Sequence, residues 1–294
     1  AVGTDGDLNY DLFGGYARDD NGHAITDFSR LLLRNSGNDC MDSFIRDAYM
    51  QRVSRELDVY TMAYAPVLLF INGEFWGVYN ARERYSPEYV ESHTGANKDE
   101  VAIIESDYDA LVLSGNPGAP FIPMESTQAD ADEFNAIVHY IRTHDLSQEE
   151  HYQYVAERLD VNSFMDMYVA RLFFNARDWP ENNIKVFKNR TEGSVDTKWH
   201  FTLLDMDMGI AMYPMGHWAD TAEKADFFGW IDSTGTVIGT IMHGLCKNAG
   251  FKQAFITRFA YVVDRIYTPE FMEAELDAVV AQREPLVELQ SKRW

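Results

Sequence analysis

Two stretches of this chain are the most informative about its fold and function: Asn175-Ala-Arg-Asp-Trp-Pro-Glu-Asn-Asn183 and Leu204-Asp-Met-Asp-Met-Gly209. The first follows a predicted helix that starts at Asp160, and the second follows an apolar run with the pattern of a strand. Between them lies a short segment with the pattern of a hairpin. An acid, an amide and two further acids therefore stand at the two ends of one hairpin, where a folded domain can bring them together. Trp179 is large and apolar, so we expect it to be buried and to anchor the first stretch.

The spacing of these polar residues is informative. Asp178 and Asn183 are five residues apart, as are the catalytic Asp and the metal-binding Asn in the H-R-D-x-x-x-x-N loop of protein kinases. Asp207-Met208-Gly209 has the outline of the kinase D-F-G. Phosphoryl transfer needs one carboxylate to orient the attacking hydroxyl, and further oxygen ligands to hold Mg²⁺ against phosphates. Asp178 is therefore a candidate catalytic residue, and Asn183, Asp205 and Asp207 are candidate metal ligands.

Each stretch also has a simpler interpretation. A run of Asp, Pro and Asn is typical of a turn without any function. Asp205 and Asp207 point to the same side if the strand continues through them, because side chains alternate along a strand. Two carboxylates on one side repel each other unless they share a cation or a proton, which favours a divalent metal. The pair is also compatible with a solvated strand end, or with the Asp-x-Asp of a metal-dependent glycosyl- or nucleotidyltransferase.

The chain is strongly acidic. Its 294 residues carry 47 Asp and Glu against 25 Lys and Arg, which gives a formal net charge of −22. Such a surface repels the phosphates of nucleic acids and the head groups of anionic lipids, so we expect neither as a partner. An ATP site in this chain has to be neutralised locally by metal ions or by a few arginines. No apolar run approaches the length of about 18 to 20 residues that spans a bilayer. The opening residues, Ala1 to Asp7, lack Met and indicate a fragment of a longer chain.

The order of the predicted elements is sheet-rich first and mostly helical later, which predicts an α+β fold. In the first part, Phe28–Arg34 has the pattern of a strand, and a hairpin is predicted over Pro66–Tyr79 with its turn at Asn72-Gly73. Residues 107–127 have the composition of a connecting loop. The second part predicts a capping box at Ser147–Glu150, a cap at Asp160, paired strands at 184–188 and 199–204, and helices near 236–248, 251–266 and 269–290.

Three further residues are candidates for binding a nucleotide: Glu83, Arg82 and Arg34. Glu83 and Arg82 follow the hairpin, and a buried Glu beside a phosphate-binding cation is part of the kinase site. A surface cluster of ion pairs is the alternative. Arg34 follows a strand and could reach a phosphate, although an arginine bound to a neighbouring loop is the more common outcome. His200 lies in a predicted strand, and we expect a hydrogen-bonded, half-buried residue there rather than a base.

Five motifs between residues 30 and 210 form a specific set. They are Leu33-Arg-Asn-Ser-Gly-Asn-Asp39, Arg46-Asp47, Ile71-Asn-Gly-Glu-Phe-Trp-Gly-Val-Tyr-Asn-Ala-Arg-Glu83, Asp178-Trp-Pro-Glu-Asn-Asn183 and Leu204-Asp-Met-Asp-Met-Gly209. In this order they resemble the CotH family, which comprises the spore-coat kinases and many bacterial surface-protein relatives. The resemblance implies an atypical protein-kinase-like, two-lobed fold, in which one domain covers residues 1–294. Its first lobe would span roughly 1–110, the connection 111–127 and the second lobe 128–294.

The resemblance also implies an activity. Members phosphorylate Ser or Thr of a protein at the cell or spore surface, using ATP with Mg²⁺ or Mn²⁺, so an extracellular or cell-surface location is implied. By position, Asp178 is the catalytic base, and Asn183 with Asp205 or Asp207 holds the metal. Glu83 belongs to the ion pair at the nucleotide. For this domain we expect a monomer.

The chain departs from the family pattern in one respect. Members carry a basic strand upstream of the Leu-Arg-Asn block, whereas no Lys occurs among the 32 residues that precede Leu33. Arg18, Arg30 and Arg34 are the candidates to replace that cation. A surface or coat module that keeps the fold without catalysis is therefore the alternative to a kinase.

Overall fold

The computed structural model describes residues 6–176, 178–180, 182–210, 212, 229 and 235–294. This part of the chain contains both sheets and helices and is compatible with the α+β prediction. Its strands are β1 Leu8–Asn9, β2 Asp27–Phe28, β3 Leu31–Arg34, β4 Tyr64–Ile71, β5 Glu74–Glu83, β6 Val101–Ser106, β7 Phe121–Glu125, β8 Lys185–Asn189 and β9 Trp199–Phe201. Its helices are α1 Arg46–Val53, α2 Pro87–Thr94, α3 Tyr108–Ser114, α4 Gln128–Thr143, α5 Glu149–Ala156, α6 Val161–Phe173, α7 Val237–Leu245, α8 Ala249–Tyr261 and α9 Pro269–Arg293.

The predicted hairpin is confirmed as strands β4 and β5. Its turn residues Asn72 and Gly73 have φ values of 53° and 82°, as a type I′ turn requires. The hairpin belongs to a three-stranded sheet with the order β3-β5-β4, in which Arg34 lies opposite Asn80. Since side chains alternate along a strand, Arg34, Asn80 and Arg82 share one face of this sheet, whereas Glu83 lies on the other.

A four-stranded sheet joins the early and late parts of the chain. Its order is β7-β6-β8-β9, and Ile103 of β6 lies opposite Phe187 of β8. The stretch 107–127, predicted as a loop, instead contains α3 and β7. Strands β8 and β9 confirm the predicted pair that separates the two acidic stretches. The division into two lobes stays a prediction.

Helix α6 carries the chain to the first acidic stretch. Asp160 caps it as predicted, because its side chain accepts hydrogen bonds from the backbone N–H groups of Asn162 and Ser163. The predicted capping box at Ser147 is wrong: the Ser147 hydroxyl bonds to Asp145, and no side chain caps α5. A short polar turn precedes α5, so the serine finds a local partner before the helix begins.

The main hydrophobic core packs α4, α6 and α7 against the four-stranded sheet. Trp179, in the first acidic stretch, is fully buried in this core, as expected. A buried indole fixes the loop to the core, so the polar residues on either side of it have a rigid base. No helix among the described residues has the length and apolar character of a membrane span.

Candidate active site

The loop after α6 brings Asp178 and Asn183 together. The Nδ2 of Asn183 donates hydrogen bonds to the carboxylate of Asp178 at 2.9 Å and to its carbonyl oxygen at 3.2 Å. Both residues have left-handed backbones, with φ values of 61° and 60°. This conformation is costly for residues other than glycine, although Asn and Asp tolerate it best. The loop is therefore held in an uncommon shape by its surroundings.

The second acidic stretch converges on an arginine from β3. The Nη2 of Arg34 donates to the carboxylates of both Asp205 and Asp207, the latter at 3.0 Å. The backbone N–H of Asn38 donates to Asp207 at 2.8 Å. A Cβ at Gly37 would overlap the ends of the Arg34 and Asp207 side chains, so these two groups would have to shift if the glycine were replaced. We call this arrangement the Asp205–Arg34–Asp207 cluster.

The strand argument for Asp205 and Asp207 is wrong, although the two side chains do meet. Strand β9 ends at Phe201, and Asp205 has a φ of 50°, outside any strand. A turn, rather than strand alternation, brings the two carboxylates to one guanidinium.

Arg171 connects the two acidic stretches, and the sequence analysis missed it. It is fully buried on α6 and donates to the backbone carbonyls of Asn183 at 3.2 Å, Asp205 at 3.3 Å, and Leu204. Burial lowers the pKa of the Arg171 guanidinium to about 10. A lone cation at the end of an apolar helix was the available signal, because such a group needs partners inside the fold.

Asp47 is the second residue that the sequence analysis underrated. It is buried on α1 and accepts hydrogen bonds from Arg82 on β5, from Gln51, and from the backbone N–H of Met206 at 2.8 Å. Burial opposes its charge, but Arg82 and Arg34 together hold the pKa of Asp47 well below its usual range. This carboxylate thus links the three-stranded sheet to the second acidic stretch.

The electrostatics of the site leave negative charge incompletely balanced. Burial and the adjacent Asp205 carboxylate raise the pKa of Asp207 to about 7, in spite of the opposing effect of Arg34. Burial also raises the pKa of Asp178. Burial opposes the charge of Arg34, yet Asp47, Asp205 and Asp207 raise its pKa above the ordinary value. Arg34 is therefore the hydrogen-bond partner of two carboxylates, Asp205 and Asp207, and interacts at longer range with Asp47.

The donor set fits a divalent metal. Carboxylate and amide oxygens are the ligands that Mg²⁺ and Mn²⁺ prefer. The raised pKa of Asp207 indicates that the pair has capacity for a further positive charge. The Nδ2 of Asn183 is directed to Asp178, so the Oδ1 of this amide is the atom that could bind a metal.

The family model described as CotH kinase protein matches residues 8–294. The chain belongs to the CotH kinase family. No curated protein matches it. The match covers both acidic stretches and the sheet that carries Arg34.

In this CotH family chain, Glu83 lies apart from the acidic stretches. It projects from the other face of the three-stranded sheet, where its carboxylate bonds to His93 at 2.8 Å and to the backbone N–H of Ala63 at 2.9 Å. It lines a polar cavity of about 740 Å³ together with Tyr60 and Tyr89. The structure thus pairs Glu83 with a histidine and not with a phosphate-binding cation.

The other candidate cations of this CotH domain have partners elsewhere. Arg82 is buried and donates to Asp47 and to the carbonyl of Met62 at 3.1 Å. Arg30 pairs with Glu88 and Glu125, and Arg18 donates to the carbonyl of Gly22. Among these arginines, the structure brings only Arg34 into contact with Asp205 and Asp207.

A second group of acids in this CotH domain surrounds His200. Its Nδ1 bonds to Asp160 and its Nε2 to Asp196, each at 3.0 Å. Burial opposes the charge on His200, but these two bonds raise its pKa to about 9. One ligand atom from each of the three residues lies within 4.8 Å of the other two, so their spacing is compatible with a cation, although each carboxylate is bonded to the ring here. We call it the Asp160–His200–Asp196 cluster, and it confirms the expectation of a hydrogen-bonded histidine.

Proposed function

We propose that this chain transfers the γ-phosphate of ATP to a Ser or Thr hydroxyl of a protein. The observation that carries the proposal is the convergence of the two acidic stretches on Arg171, which donates to carbonyls in both. Without this convergence, the kinase-like spacing of Asp178 and Asn183 would remain a sequence pattern. Family membership supports the same activity.

In this proposal Asp178 orients the acceptor hydroxyl and takes its proton. The pKa of Asp178 is raised by burial, and a stronger base accepts a proton more readily near neutral pH. The hydrogen bond from Asn183 holds the carboxylate in place. A bound Mg²⁺ or Mn²⁺ would neutralise phosphate charge, and Asn183, Asp205 and Asp207 would hold it.

Arg34 is the cation that we assign to the phosphates, in place of the upstream lysine of the family pattern. In the structure it balances the charge of Asp205 and Asp207. The Arg34 guanidinium would bind phosphate oxygens, which it recognises well, if Asp205 and Asp207 were neutralised by a bound cation instead. Asp47 supports Arg34 by charge and is itself held by Arg82. We therefore assign the supporting acid to Asp47 and not to Glu83.

A small hollow lies next to these residues. Its volume is about 230 Å³, and its lining includes Ser106, Tyr108, Asn183 and Leu204. We assign the nucleotide to this side of the site because it adjoins both acidic stretches. We further propose a two-lobed, kinase-like arrangement, a monomeric domain, and an acceptor protein at the cell or spore surface.

The test is transfer of labelled γ-phosphate from ATP in the presence of Mn²⁺, with autophosphorylation and an acidic casein-type acceptor as readouts. Asp178→Asn should lower kcat by about 10²- to 10⁴-fold, the range for loss of a general base. Asp205→Asn should act in the same direction, while Asp196→Asn, in the other acidic cluster, should retain activity. Equal labelling of all four proteins would overturn the proposal.

A structural module without catalysis is the second candidate function. It is favoured by Arg34, because this arginine engages both carboxylates that a metal requires. Calorimetric titration with Mg-ATP separates the two functions. Binding heat that disappears in Asp205→Asn supports the kinase, whereas no heat with either protein supports the module.

A further inference from the structure

We infer that Arg171 is a positioning residue. It fixes the position of the loop that carries Asp178 and Asn183, here called the catalytic loop, relative to the stretch that carries Asp205 and Asp207, here called the metal-binding stretch. The inference rests on the proposed function for the roles of those two segments. Arg171 touches no reacting atom in this assignment, because its hydrogen bonds to described residues go to backbone carbonyls. Its effect on the reaction would be exerted through Asn183 and Asp205.

The contacts of Arg171 join segments that are remote in sequence. One nitrogen, Nη2, donates to the carbonyls of both Asn183 and Leu204, and Nη1 donates to that of Asp205. Among the described residues, these bonds are the direct polar link between the catalytic loop and the second acidic stretch. A displacement of the guanidinium would therefore move one segment relative to the other.

The same bonds act on strained backbone. Asn183 and Asp205 both have positive φ values, 60° and 50°, and Arg171 binds the carbonyl of each. A non-glycine residue in this region is strained and persists only where the surroundings hold it. Arg171 supplies part of that restraint at the two residues whose side chains are assigned to the metal.

The charge of Arg171 is also unusual. It is fully buried, and no carboxylate forms an ion pair with it within the described part of the chain. Its charge is instead favoured at longer range by Asp205, Asp47 and Asp178. Its Nε has no hydrogen-bond partner among the described residues. Burying such a cation costs free energy. The three acids that favour its charged form all belong to the candidate site.

Only arginine fits this geometry. Its planar fork presents several N–H donors in fixed directions, whereas lysine offers a point charge on a flexible stem. Lysine at this position would keep the charge while losing simultaneous contact with the three carbonyls. Arg171→Lys therefore separates geometry from electrostatics, and it removes little volume from the core.

The first test is hydrogen–deuterium exchange of the full chain, read on peptides that cover residues 178–184 and 203–209. Arg171→Lys should raise deuterium uptake in both segments together. Val169→Ala is the matched control, because Val169 is buried on the same helix and belongs to the apolar core. It should lower the melting temperature without this paired increase. Unchanged uptake in either segment of Arg171→Lys would overturn the inference.

The second test measures function. Arg171→Lys should weaken Mn²⁺ binding by about 10- to 100-fold, as loss of an outer partner of a metal ligand does. Its kcat should fall by about 100-fold, the cost of a misplacement near 1 Å, with a smaller change in the KM for the acceptor. After correction for the fraction of folded protein, Val169→Ala should leave the Mn²⁺ affinity and the kcat unchanged.

These measurements separate the inference from the proposed function. If the wild-type protein neither binds Mn²⁺ nor transfers phosphate, the proposed function fails, and the exchange experiment still decides whether Arg171 couples the two segments. If the wild type is active while Arg171→Lys keeps its Mn²⁺ affinity and kcat, the positioning role is wrong. Arg171→Met, where it folds, should show the larger defects of the two variants.

Discussion

The Asp205–Arg34–Asp207 and Asp160–His200–Asp196 clusters each place one cation between two aspartates, and they differ in how completely the charge is balanced. In the Asp205–Arg34–Asp207 cluster, the pKa of Asp207 is raised to about 7. In the Asp160–His200–Asp196 cluster, hydrogen bonds from His200 lower the pKa of Asp196 to about 2, and that of Asp160 is also lowered, although burial opposes it. The negative charge of Asp205 and Asp207 is therefore only partly balanced, whereas that of Asp160 and Asp196 is stabilised by His200.

The difference indicates which cluster suits a metal. In the first cluster both carboxylates face one side of one guanidinium, and Arg34 also interacts with Asp47. In the second, each carboxylate has its own imidazole nitrogen as a hydrogen-bond partner. A divalent ion would relieve repulsion in the first cluster, but in the second it would have to replace good hydrogen bonds.

The largest expected effect is on metal affinity. Asp205→Asn and Asp207→Asn should each weaken Mn²⁺ binding by more than about 100-fold. Loss of a metal ligand should cost more than loss of a group that only hydrogen-bonds to a ligand. Asp196→Asn, the matched change in the other cluster, should leave the affinity unchanged. Calorimetry or electron paramagnetic resonance of Mn²⁺ measures this. An affinity that depends on Asp196 rather than on Asp205 would reverse the comparison.

The second effect is on stability as a function of pH. The pKa of His200 is raised from 6.5 to about 9, so its contribution is complete below pH 6.5 and is lost as the pH rises toward 9. After allowance for the half-exposed Asp196, that contribution is roughly 2 kcal/mol. Urea unfolding of wild type and His200→Gln at pH 6, 7.5 and 9 should show a stability difference that shrinks with pH. A constant difference would mean that His200 is uncharged in the fold.

The third effect has the opposite sign to the first. Arg34→Gln removes the cation that competes for Asp205 and Asp207, so Mn²⁺ should bind about tenfold more tightly in the absence of nucleotide. Both proteins should be titrated at the same pH, well above neutral, because loss of Arg34 removes a charge that lowers the pKa of Asp207. The kcat/KM for ATP should fall in the same variant, because the phosphates lose their arginine. Weaker Mn²⁺ binding would show that Arg34 holds the two carboxylates in place for the metal instead of competing with it.

The smallest effect compares two glycines. Gly37 and Gly193 both have positive φ values, 59° and 80°, and replacement by Ala should cost each about 1 kcal/mol of stability. A Cβ at Gly37 meets Arg34 and Asp207, whereas one at Gly193 meets no atom within 4 Å among the described residues. Gly37→Ala should therefore also change Mn²⁺ affinity by several-fold, and Gly193→Ala should not. Thermal unfolding with and without Mn²⁺ distinguishes the two.

Local chemistry explains which features could be predicted from the sequence. The hairpin turn at Asn72-Gly73, the cap at Asp160 and the burial of Trp179 depend on properties of single residues and their neighbours. The predicted capping box at Ser147 was wrong for the same reason, because a competing local bond to Asp145 won. The loop predicted over residues 107–127 contains β7, since its pairing with β6 depends on tertiary contacts.

The acids of the candidate site were identified from their type and spacing, but their partners were not. The sequence analysis assigned the nucleotide ion pair to Glu83, whereas the alternation of β5 directs Glu83 to His93 on the other face. Arg171 belonged to no motif, and Asp47 was noticed only as part of the Arg46-Asp47 motif, without its role. The roles of Asp178, Asn183, Asp205 and Asp207 stay predictions.

The sequence alone was enough to identify the family, the β4–β5 hairpin and the acidic side chains of the candidate site. The pairing of each cation with its acids depends on the tertiary structure. Arg34 and Asp205 are 171 residues apart in sequence, and the Coulomb interaction depends on distance in space alone. Local propensity sets hairpins and caps, whereas charge balance depends on which remote segments the fold brings into contact.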